Sequence, residues 1–558
     1  MGKEPVSVGS LLLEAGLVTT RQLERARAEQ ERAGGRLEAA LTRLGLVPEE
    51  RLLRFFADRL GMEYAERVDR LFNPEVVALV PSEFVMRHQV LPLCERDGEL
   101  LVAVSNPFEL TPLEDLQAVT GLPVRPVLAP ARQVEEVIEQ LYMEQMLRDI
   151  ADLETETLSE EELQVTDLQQ MAREALVIKL LNMIIRQAIQ ERSSDIHLEP
   201  YHRFLKVRYR IDGVLHDRPS PPKRLHQALV SRVKIMADMD IAERRLPQDG
   251  RIRLKFSGRQ IDMRVSTIPT LFGEGVVIRL LDKSTGLLNL ADLGMAPEVR
   301  EEFTRLIARP HGIVLSTGPT GSGKTTTLYA AINRISSPEK KIITIEDPAE
   351  YELPDASQIQ VRPHIGLTFA SGLRHIVRQD PDVVMVGEIR DAETAEIAIH
   401  AALTGHLVFS TLHTNDAPGA VTRLLDMGIE PYLAASSMIG VLAQRLVRVL
   451  CKHCRVQAPL EPAAAAEVGL EPGTPVWSAG GCDTCRGAGY VGRTGIFELL
   501  RVDDSTRAQV LAKESATQIK QAAVQRGMST LLADGRRRIL DGTTSLEEVL
   551  RVCERDEI

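Results

Sequence analysis

Aromatic side chains are scarce in this chain of 558 residues: they make up 4% of it and include a single tryptophan. Proteins that bind single-stranded nucleic acid stack the bases on aromatic side chains, and few such surfaces could be built here. Basic residues are also outnumbered, and the formal net charge is −12. Because phosphate backbones are bound by basic surfaces, this balance argues against a large nucleic-acid interface. We therefore expect no nucleic-acid partner.

Long hydrophobic runs are missing as well. No apolar stretch reaches the roughly 18–20 residues that a membrane-spanning helix needs. The short apolar run at residues 11–13 is followed by Glu14 and lacks the basic segment and cleavage site of a signal peptide. The run is typical of an amphipathic helix. We expect a cytoplasmic protein that associates with a membrane only through partners.

Cysteines are few, but four of the six form two close pairs in the pattern C-x-x-C, Cys451 with Cys454 and Cys482 with Cys485. Four thiolates from two tight turns suit a tetrahedral Zn²⁺ with no open coordination position, which is a structural site. A thioredoxin-like redox site is the alternative, but it needs only one such pair. The spacing predicts a zinc-binding insertion at residues 451–485.

Composition and periodicity divide the chain into five segments. Between Asp149 and Asp167 there are eight acidic residues and no basic one, which is typical of a solvated linker. From residue 290 short apolar strands alternate with helices, the pattern of a largely parallel sheet that binds ligands at the carboxyl ends of its strands. The predicted segments are a helical N-terminal region at 1–64, a small α/β region at 65–145, an acidic linker at 146–170, a PAS-like α+β domain at 171–285 and an α/β domain at 286–558.

Residues 318–325, GPTGSGKT, fit the phosphate-binding pattern G-x-x-x-x-G-K-[ST] between a strand pattern and a helix pattern. Glycines let backbone N–H groups face phosphate oxygens, and the helix N-terminus adds its positive dipole end. Lys324 suits the β- and γ-phosphates of ATP, and Thr325 suits Mg²⁺. A chance glycine-rich turn is the alternative, which the flanking strand and helix argue against. The predicted nucleotide-binding residues are Gly318, Pro319, Thr320, Gly321, Ser322, Gly323, Lys324, Thr325 and Thr326.

Three later strand patterns each end in an ionisable side chain: Glu346, Glu388 and His413. In a RecA-like sheet these ends would converge on the γ-phosphate. A carboxylate there can orient or deprotonate the attacking water or hold the water shell of the metal, and an imidazole can sense the phosphate. For any one of them, a surface residue that caps a strand is the alternative. Gly387 departs from the usual pattern, because many P-loop proteins have aspartate there.

Together these motifs resemble the secretion-ATPase superfamily, which powers type II secretion, type IV pili and related machines. The segments GPTGSGKTTTLY, TIEDPAEY, RQDPDVVMVGEIRD and GHLVFSTLHTNDA resemble its Walker A, aspartate-box, Walker B and histidine-box motifs. The segments SSDIHLEP, VRYRIDGVL and ERRLPQDGRI resemble the domain that precedes the motor, so the resemblance covers about residues 170–558. Within the superfamily, SSMIGVLAQRLVRVLC, GRTGIFELL and DGTTSLEEVLRV are most similar to the type II secretion ATPase. The pilus-extension ATPase is the alternative, since it shares the cysteine pairs.

The resemblance implies a hexameric RecA-like motor that hydrolyses ATP with Mg²⁺ and drives protein export across the outer membrane by pseudopilus assembly. It implies work at the inner face of the inner membrane, with the cytoplasmic domain of an inner-membrane secretion protein and a platform protein as partners. A nucleic-acid motor is disfavoured by the acidic charge. A scaffold with a degenerate P-loop is disfavoured by the intact Lys324 and Thr325.

Further residues are implied only by the resemblance. His406 joins His413 in the histidine box, and Arg208 or Arg210, with Arg374 and Arg378, match arginines that reach the γ-phosphate. The planar fork of arginine grips phosphate oxygens, but a surface ion pair is the alternative for each. Two positions depart from the family pattern: Ser371 and Gly275 stand where arginine is common.

The first 60 residues contain two similar blocks, each a helix, a Gly-Leu-Val turn, a capping residue and a second helix. They resemble a domain that binds cyclic di-GMP in some family members through tandem motifs that begin Arg-Leu-Gly and end in glutamine. The first block begins at Ser7 and ends at Gln30, and the second begins at Arg36 with Arg59 in place of glutamine. Because each motif is incomplete, helical packing that docks a partner is favoured over cyclic di-GMP binding.

Overall fold

The computed structural model of the chain describes residues 8–33, 36–68, 71, 73, 76, 80, 84–85, 88–108, 111–131, 133–135, 137–138, 165–256, 259–282 and 288–553. These form two compact units, Met1–Met183 and Ile184–Ile558. Most of the predicted acidic linker lies outside the described residues. Its last six residues, from Val165, already belong to a long helix that ends at Gln190. Among the described helices, none combines the length and the apolar character needed to cross a bilayer.

The first unit begins with helices in the two predicted blocks. Its helices are α1 (Val8–Glu14), α2 (Thr20–Ala33), α3 (Leu37–Arg43), α4 (Glu49–Leu60) and, further on, α5 (Thr111–Thr120). Gly16 and Gly45 make the turns of the two blocks at φ 66° and 64°, a region that glycine enters without strain. Thr19 caps α2 reciprocally with Gln22, whose side chain accepts from the Thr19 N–H at 2.8 Å. The predicted helix–turn–helix blocks are thus present.

A small sheet completes this unit, in the order β1-β4-β3-β2. Its strands are β1 (Glu63–Tyr64), β2 (Leu91–Arg96), β3 (Glu99–Val104) and β4 (Val124–Leu128). β2 and β3 form an antiparallel hairpin, whereas β3 and β4 are parallel and are joined through α5. The apolar residues of β3 are buried and share one core with Leu12, Leu41 and Phe56 of the helices.

The second unit begins with an antiparallel sheet in the order β7-β6-β5-β10-β9-β8. Its strands are β5 (Asp195–Pro200), β6 (Leu205–Ile211), β7 (Val214–Arg218), β8 (Gln248–Phe256), β9 (Arg259–Thr270) and β10 (Gly273–Asp282), and α7 (His226–Met236) is one of its helices. The helix α6 (Val165–Gln190) belongs to this unit from Ile184 onward. The predicted segment FLKVRYRIDGVL is a hairpin that turns at Asp212 and Gly213, both with positive φ. The buried Tyr209 hydroxyl donates to the Ile184 carbonyl at 2.7 Å, which ties α6 to this sheet.

The motor part of the second unit has a sheet in the order β13-β12-β14-β15-β11-β16-β19, parallel except for β19. Its strands are β11 (Gly312–Thr317), β12 (Ile342–Glu346), β13 (Ala356–Gln360), β14 (Val383–Val386), β15 (Leu407–Leu412), β16 (Met438–Leu450) and β19 (Tyr490–Arg501). All four strands predicted to carry site residues are buried along their length, as expected for a sheet covered on both faces.

Helices cover both faces of the motor sheet and continue to the C-terminus. They are α8 (Pro297–Ile307), α9 (Lys324–Ile335), α10 (Phe369–Ile376), α11 (Ala392–Leu403), α12 (Ala417–Asp426), α13 (Pro431–Ser437), α15 (Asp504–Leu511), α16 (Ala516–Gln525), α17 (Leu531–Leu540) and α18 (Leu546–Val552). The insertion between β16 and β19 adds α14 (Pro462–Val468) and the hairpin of β17 (Val456–Pro459) and β18 (Pro475–Ser478).

Candidate functional site

The predicted phosphate-binding loop connects the buried strand β11 to α9. Gly318, Gly321 and Gly323 have φ of 147°, 79° and 90°, so the backbone curls through a region that other residues rarely adopt. A Cβ on Gly318 would lie 2.6 Å from the Gln444 carbonyl oxygen and 2.6 Å from the Ser322 hydroxyl. Glycine is therefore required at residue 318 by space as well as by conformation, and the loop keeps the cradle shape that suits a phosphate.

Lys324, the first residue of α9, is buried beside this loop. Its ammonium donates to the carbonyls of Gly318 at 2.8 Å and Pro319 at 3.1 Å. Burial lowers the pKa of Lys324 to about 8, while the charge of Glu388 opposes the shift and that of Arg445 adds to it. The lysine is thus a desolvated cation whose hydrogen-bond partners, among the described residues, are two neutral carbonyl groups.

The residues of the loop fit a polyphosphate. Among the described residues, no hydrogen-bond partner is found for the Ser322 hydroxyl, although it is buried. A buried hydroxyl without a partner costs free energy unless a ligand supplies one. A partnerless hydroxyl, a desolvated ammonium and a helix N-terminus all favour an anion at the same place.

Glu388 and His413 come together at the carboxyl ends of the neighbouring strands β14 and β15. His413 Nε2 lies 3.3 Å from a Glu388 carboxylate oxygen. Glu388 also forms an ion pair with Arg390, and its side chain is 17% exposed. Strand β15 lies between β14 and β11 and is parallel to both, so Glu388 and His413 end at the same edge of the sheet as the phosphate loop. The structure therefore joins two of the three predicted strand-end residues.

Glu346 is held differently from the other two. It is 2% exposed at the end of β12, and its carboxylate accepts from the Thr344 hydroxyl at 2.6 Å and the Gln358 amide at 2.9 Å. The Tyr329 hydroxyl donates to it as well. Burial and the hydrogen bond to Glu346 raise the pKa of Tyr329. The carboxylate of Glu346 is thus occupied by three donors in this conformation.

The departure at Gly387 has a steric explanation. A Cβ on Gly387 would lie 3.3 Å from the Ile345 carbonyl oxygen, slightly closer than ordinary van der Waals contact, and 3.4 Å from the Glu346 Cα atom. The usual aspartate would press on the strand that carries Glu346. Ser371, the other departure next to the motor sheet, takes part in a reciprocal cap of α10 with Thr368, at 2.8 and 3.2 Å.

The predicted arginines bond to residues near them in this single chain. Their partners are Glu199 for Arg208 at 2.7 Å, the Gly213 carbonyl for Arg210 at 3.0 Å, Glu393 for Arg374, and His375 for Arg378 at 2.9 Å. His406, from the histidine box, bonds through Nδ1 to the Ala401 carbonyl at 2.8 Å. Their roles toward a phosphate stay predictions.

Sequence reasoning missed three side chains at the site. Arg390 pairs with Glu388, and Gln444 and Arg445 lie against the phosphate loop from β16. Arg390 lies in the Walker B segment, two residues after Glu388, and a positive charge so close to a predicted catalytic carboxylate could have indicated an ion pair. No local pattern marked the other two, because they approach the loop from a distant part of the sequence.

The four cysteines of the insertion form one cluster. Their sulfur atoms all lie within 4.8 Å of one another, with 3.8 Å between Cys451 and Cys482 and 3.7 Å between Cys454 and Cys485. Zinc–sulfur bonds of about 2.3 Å in a tetrahedron place sulfur atoms about 3.8 Å apart. The donor set and its spacing therefore fit a structural Zn²⁺.

The only tryptophan of the sequence supports this cluster. Arg455, next to the first cysteine pair, stacks over the Trp477 ring at 4.3 Å and donates to the Gly542 carbonyl at 2.7 Å. A Cβ on Gly542 would lie 2.5 Å from the Trp477 ring, so the turn between α17 and α18 packs closely on the insertion. The cysteine module is thereby fixed to the C-terminal helices.

A phosphate loop at the carboxyl edge of a parallel sheet, with Glu388 and His413 from neighbouring strands beside it, defines a P-loop ATPase of RecA-like fold. The chain belongs to the type II/IV secretion system protein family, whose sequence model matches residues 170–551. The model of the MshEN domain matches residues 60–147.

Curated relatives carry names from two machines. The type II secretion system protein E of Klebsiella pneumoniae is 48% identical over 85% of this chain and 97% of its own length. The type II secretion system protein HxcR of Pseudomonas aeruginosa is 55% identical over 72% of this chain and 82% of its own length. The type IV pilus assembly ATPase PilB of Myxococcus xanthus is 43% identical over 97% of this chain and 98% of its own length.

A solved structure shares the fold. The ATPase DotB of Legionella pneumophila superposes with a TM-score of 0.50 at 20% identity, over 67% of this chain and 95% of that chain. At this level of identity the likeness concerns the fold alone.

Proposed function

We propose that the chain is the ATP-hydrolysing motor of a type II secretion system and drives protein export across the outer membrane through pseudopilus assembly. The observation that carries the proposal is the arrangement of Lys324, Glu388 and His413 at one edge of the motor sheet. It occurs in a chain that is similar over 85% of its length to a type II secretion protein E.

Lys324 binds the β- and γ-phosphates of ATP in this proposal. It exchanges the carbonyl oxygens of Gly318 and Pro319 for phosphate oxygens, which are stronger acceptors because they are charged. The Ser322 hydroxyl gains the partner that it lacks. The Thr325 hydroxyl would hold Mg²⁺, and the ion would supply positive charge to offset that of the transferred phosphoryl group.

Glu388 is the better placed of the two glutamates to orient the attacking water. It is partly exposed, follows a strand that ends at the same edge of the sheet as the phosphate loop, and contacts His413. If the imidazole moves toward a γ-phosphate, the carboxylate beside it would move or lose that contact. Glu346 would first have to lose the hydrogen bonds from Tyr329 and Gln358. We therefore assign water activation to Glu388 and loop organisation to Glu346 in the conformation described.

The working form in this proposal is a homohexamer with the nucleotide between neighbouring subunits. An arginine supplied by the neighbour would complete the site, and the candidates are Arg208, Arg210, Arg374 and Arg378. The contacts of Arg374 and Arg378 are exposed, and such contacts contribute little and can be exchanged. Arg208 pairs with the half-buried Glu199 and Arg210 lies 3.7 Å from the buried Asp195, so these two would give up stronger contacts. The ring would act on the inner face of the inner membrane with a platform protein and the cytoplasmic domain of a second membrane protein.

The N-terminal unit is proposed to dock that membrane partner. A cavity of about 390 Å³ beside α3 and α4 is lined by two basic residues, Arg36 and Arg43, and two acidic ones, Glu38 and Glu49. Because the charges of these four side chains cancel, the cavity offers little net electrostatic attraction to cyclic di-GMP, which carries two negative charges. Partner docking is therefore favoured over cyclic di-GMP binding.

A pilus-extension motor is the second candidate, because PilB of Myxococcus xanthus is similar over 97% of this chain. Deleting the gene in the source bacterium and restoring it with wild-type or Lys324→Ala chains separates the two. We expect secreted enzymes to disappear from the culture medium while surface pili stay, with rescue by the wild-type chain only. Loss of pili with normal secretion would favour the second candidate.

A further inference from the structure

Strand β16 passes directly beneath the phosphate loop. It runs parallel to β11, with Ser316 opposite Leu442 and Thr317 opposite Ala443. β11 ends there, whereas β16 continues. Gln444 and Arg445 are therefore the next residues of β16 and lie level with the loop that follows β11.

The side chain of Gln444 bridges the loop. It is 2% exposed; its oxygen accepts from the Ser316 hydroxyl at 3.3 Å, and its nitrogen donates to the Ser322 carbonyl at 2.7 Å. Ser316 precedes the loop and Ser322 lies inside it. One carboxamide thus fixes the distance between the start of the loop and its glycine-rich second half.

Arg445 connects strand β16, next to the phosphate loop, to the histidine-box loop. It is 8% exposed, and its guanidinium donates to the Asn415 carbonyl at 2.7 Å and to the Gln444 carbonyl at 3.1 Å. Asn415 lies two residues after His413. A Cβ on Gly318 would lie 3.0 Å from a guanidinium nitrogen, so this buried cation also faces the loop.

We propose that Gln444 and Arg445 are positioning residues of the ATPase: Gln444 holds the phosphate loop in the curvature that binds nucleotide, and Arg445 ties strand β16, which carries Gln444, to the loop that carries His413. The inference rests on the proposed nucleotide site. Both side chains could instead be satisfied polar groups that serve only the core. Their hydrogen-bond partners argue against this. Gln444 bonds to the backbone of the phosphate loop, and Arg445 bonds to the backbone of the loop that carries His413.

Gln444→Met keeps the length of the side chain and removes both hydrogen bonds. We expect ADP, measured by fluorescence titration without turnover, to bind about tenfold more weakly, since a buried carbonyl loses its donor and the loop relaxes. Hydrogen exchange in residues 318–323 should become faster. Thr506→Val is the matched control, because Thr506 is fully buried in α15 and bonds to the Arg501 carbonyl. It should lower the melting temperature comparably and leave ADP affinity unchanged.

Arg445→Met should reduce kcat with a smaller effect on ADP affinity, because it releases the His413 loop and leaves the Gln444 bridge in place. If Gln444→Met does not fold, Ser316→Ala removes one end of the bridge only and should weaken ADP binding about threefold. Unchanged ADP affinity and loop exchange in a folded Gln444 or Ser316 variant would overturn the positioning role. Failure of the wild-type chain to bind ADP would overturn the nucleotide site itself.

Discussion

The hydroxyl of Tyr329 donates a hydrogen bond to the carboxylate of Glu346, across the interface between α9 and the end of β12. Thr344 and Gln358 donate to the same carboxylate, and Gln358 also donates to the Tyr351 carbonyl at 3.0 Å. Glu346 therefore organises the loop after β12 from inside the domain. Glu388 has no such enclosure, and its nearest groups are Arg390 and His413.

The two glutamates should respond differently to amide substitution. We expect Glu388→Gln to lower kcat by about 10²–10⁴, the range for loss of a general base, with the melting temperature and ADP affinity nearly unchanged. Steady-state turnover and thermal unfolding of the purified chain measure both. A variant that hydrolyses ATP at the wild-type rate would remove Glu388 from the reaction.

Glu346→Gln should instead destabilise the motor by about 1–3 kcal/mol, since an amide nitrogen replaces an oxygen that now accepts a buried hydrogen bond. Tyr329→Phe, which removes one of the three donors, is the matched comparison and should have a smaller effect on unfolding. If Glu346→Gln abolishes turnover without any loss of stability, Glu346 takes part in the chemistry directly.

The P-loop lysine gives the simplest prediction. Lys324→Ala should lower ATP turnover by at least about 100-fold, because a preorganised charge beside the transferred phosphoryl group is lost. Arg305→Ala is a suitable control, since Arg305 is an exposed residue of the motor that pairs only with α8 glutamates, Glu301 and Glu302. Malachite-green phosphate release with and without Mg²⁺ measures the effect and its metal dependence. Full activity of Lys324→Ala would refute the nucleotide site.

Zinc should be present at about one ion per chain, which elemental analysis of freshly purified, reduced protein measures. Removal of the zinc by a chelator, with mild denaturant to open the site, should lower the melting temperature of the chain. The free energy of zinc binding contributes directly to folding in such sites. Cys482→Ser should do the same. Cys553→Ser is the control, because Cys553 lies outside the cluster. Metal-free protein with unchanged stability would contradict the assignment.

The sequence predicted those features whose residues lie close together along the chain, and it missed contacts between residues that are far apart in it. The phosphate loop and the cysteine cluster lie in short segments with fixed spacing, and the structure has both where they were expected. The bridge from Gln444 to Ser322 joins residues 122 positions apart, so only the order of strands in the sheet brings them together. The same holds for Tyr329, whose hydroxyl finds Glu346 because α9 packs over β12. Polar contacts made by packing leave no periodic pattern in the sequence.

The arginine prediction concerns residues whose contacts in one chain differ from those expected in a ring. Arg374 pairs with Glu393, and the side chains of both are more than half exposed. Arg210 donates to Gly213 at the tip of its own hairpin. Both of these contacts are exposed, and exposed pairs contribute about 0–1 kcal/mol. Arg210 also lies 3.7 Å from the buried carboxylate of Asp195. Turning toward a neighbouring subunit therefore costs Arg374 little, whereas Arg210 would also have to leave Asp195.

Mixing variants tests whether an arginine acts between subunits. Lys324→Ala chains and Arg210→Ala chains should each be nearly inactive, but rings assembled from both contain some sites with an intact lysine on one side and an intact arginine on the other. At equal amounts about one quarter of the sites are complete, so activity should recover to about that share of the wild-type value. Arg208→Ala, Arg374→Ala and Arg378→Ala are tested in the same way, and Lys324→Ala mixed with Glu388→Gln is the control, since Glu388 and Lys324 lie at the same sheet edge of one chain. In the control mixture every chain lacks either the lysine or the glutamate, and both must come from the same chain. No site is complete, so the control mixture should stay inactive. Mixed rings that stay inactive for every arginine, although the wild-type ring assembles and hydrolyses ATP, would show that none of them acts across the interface.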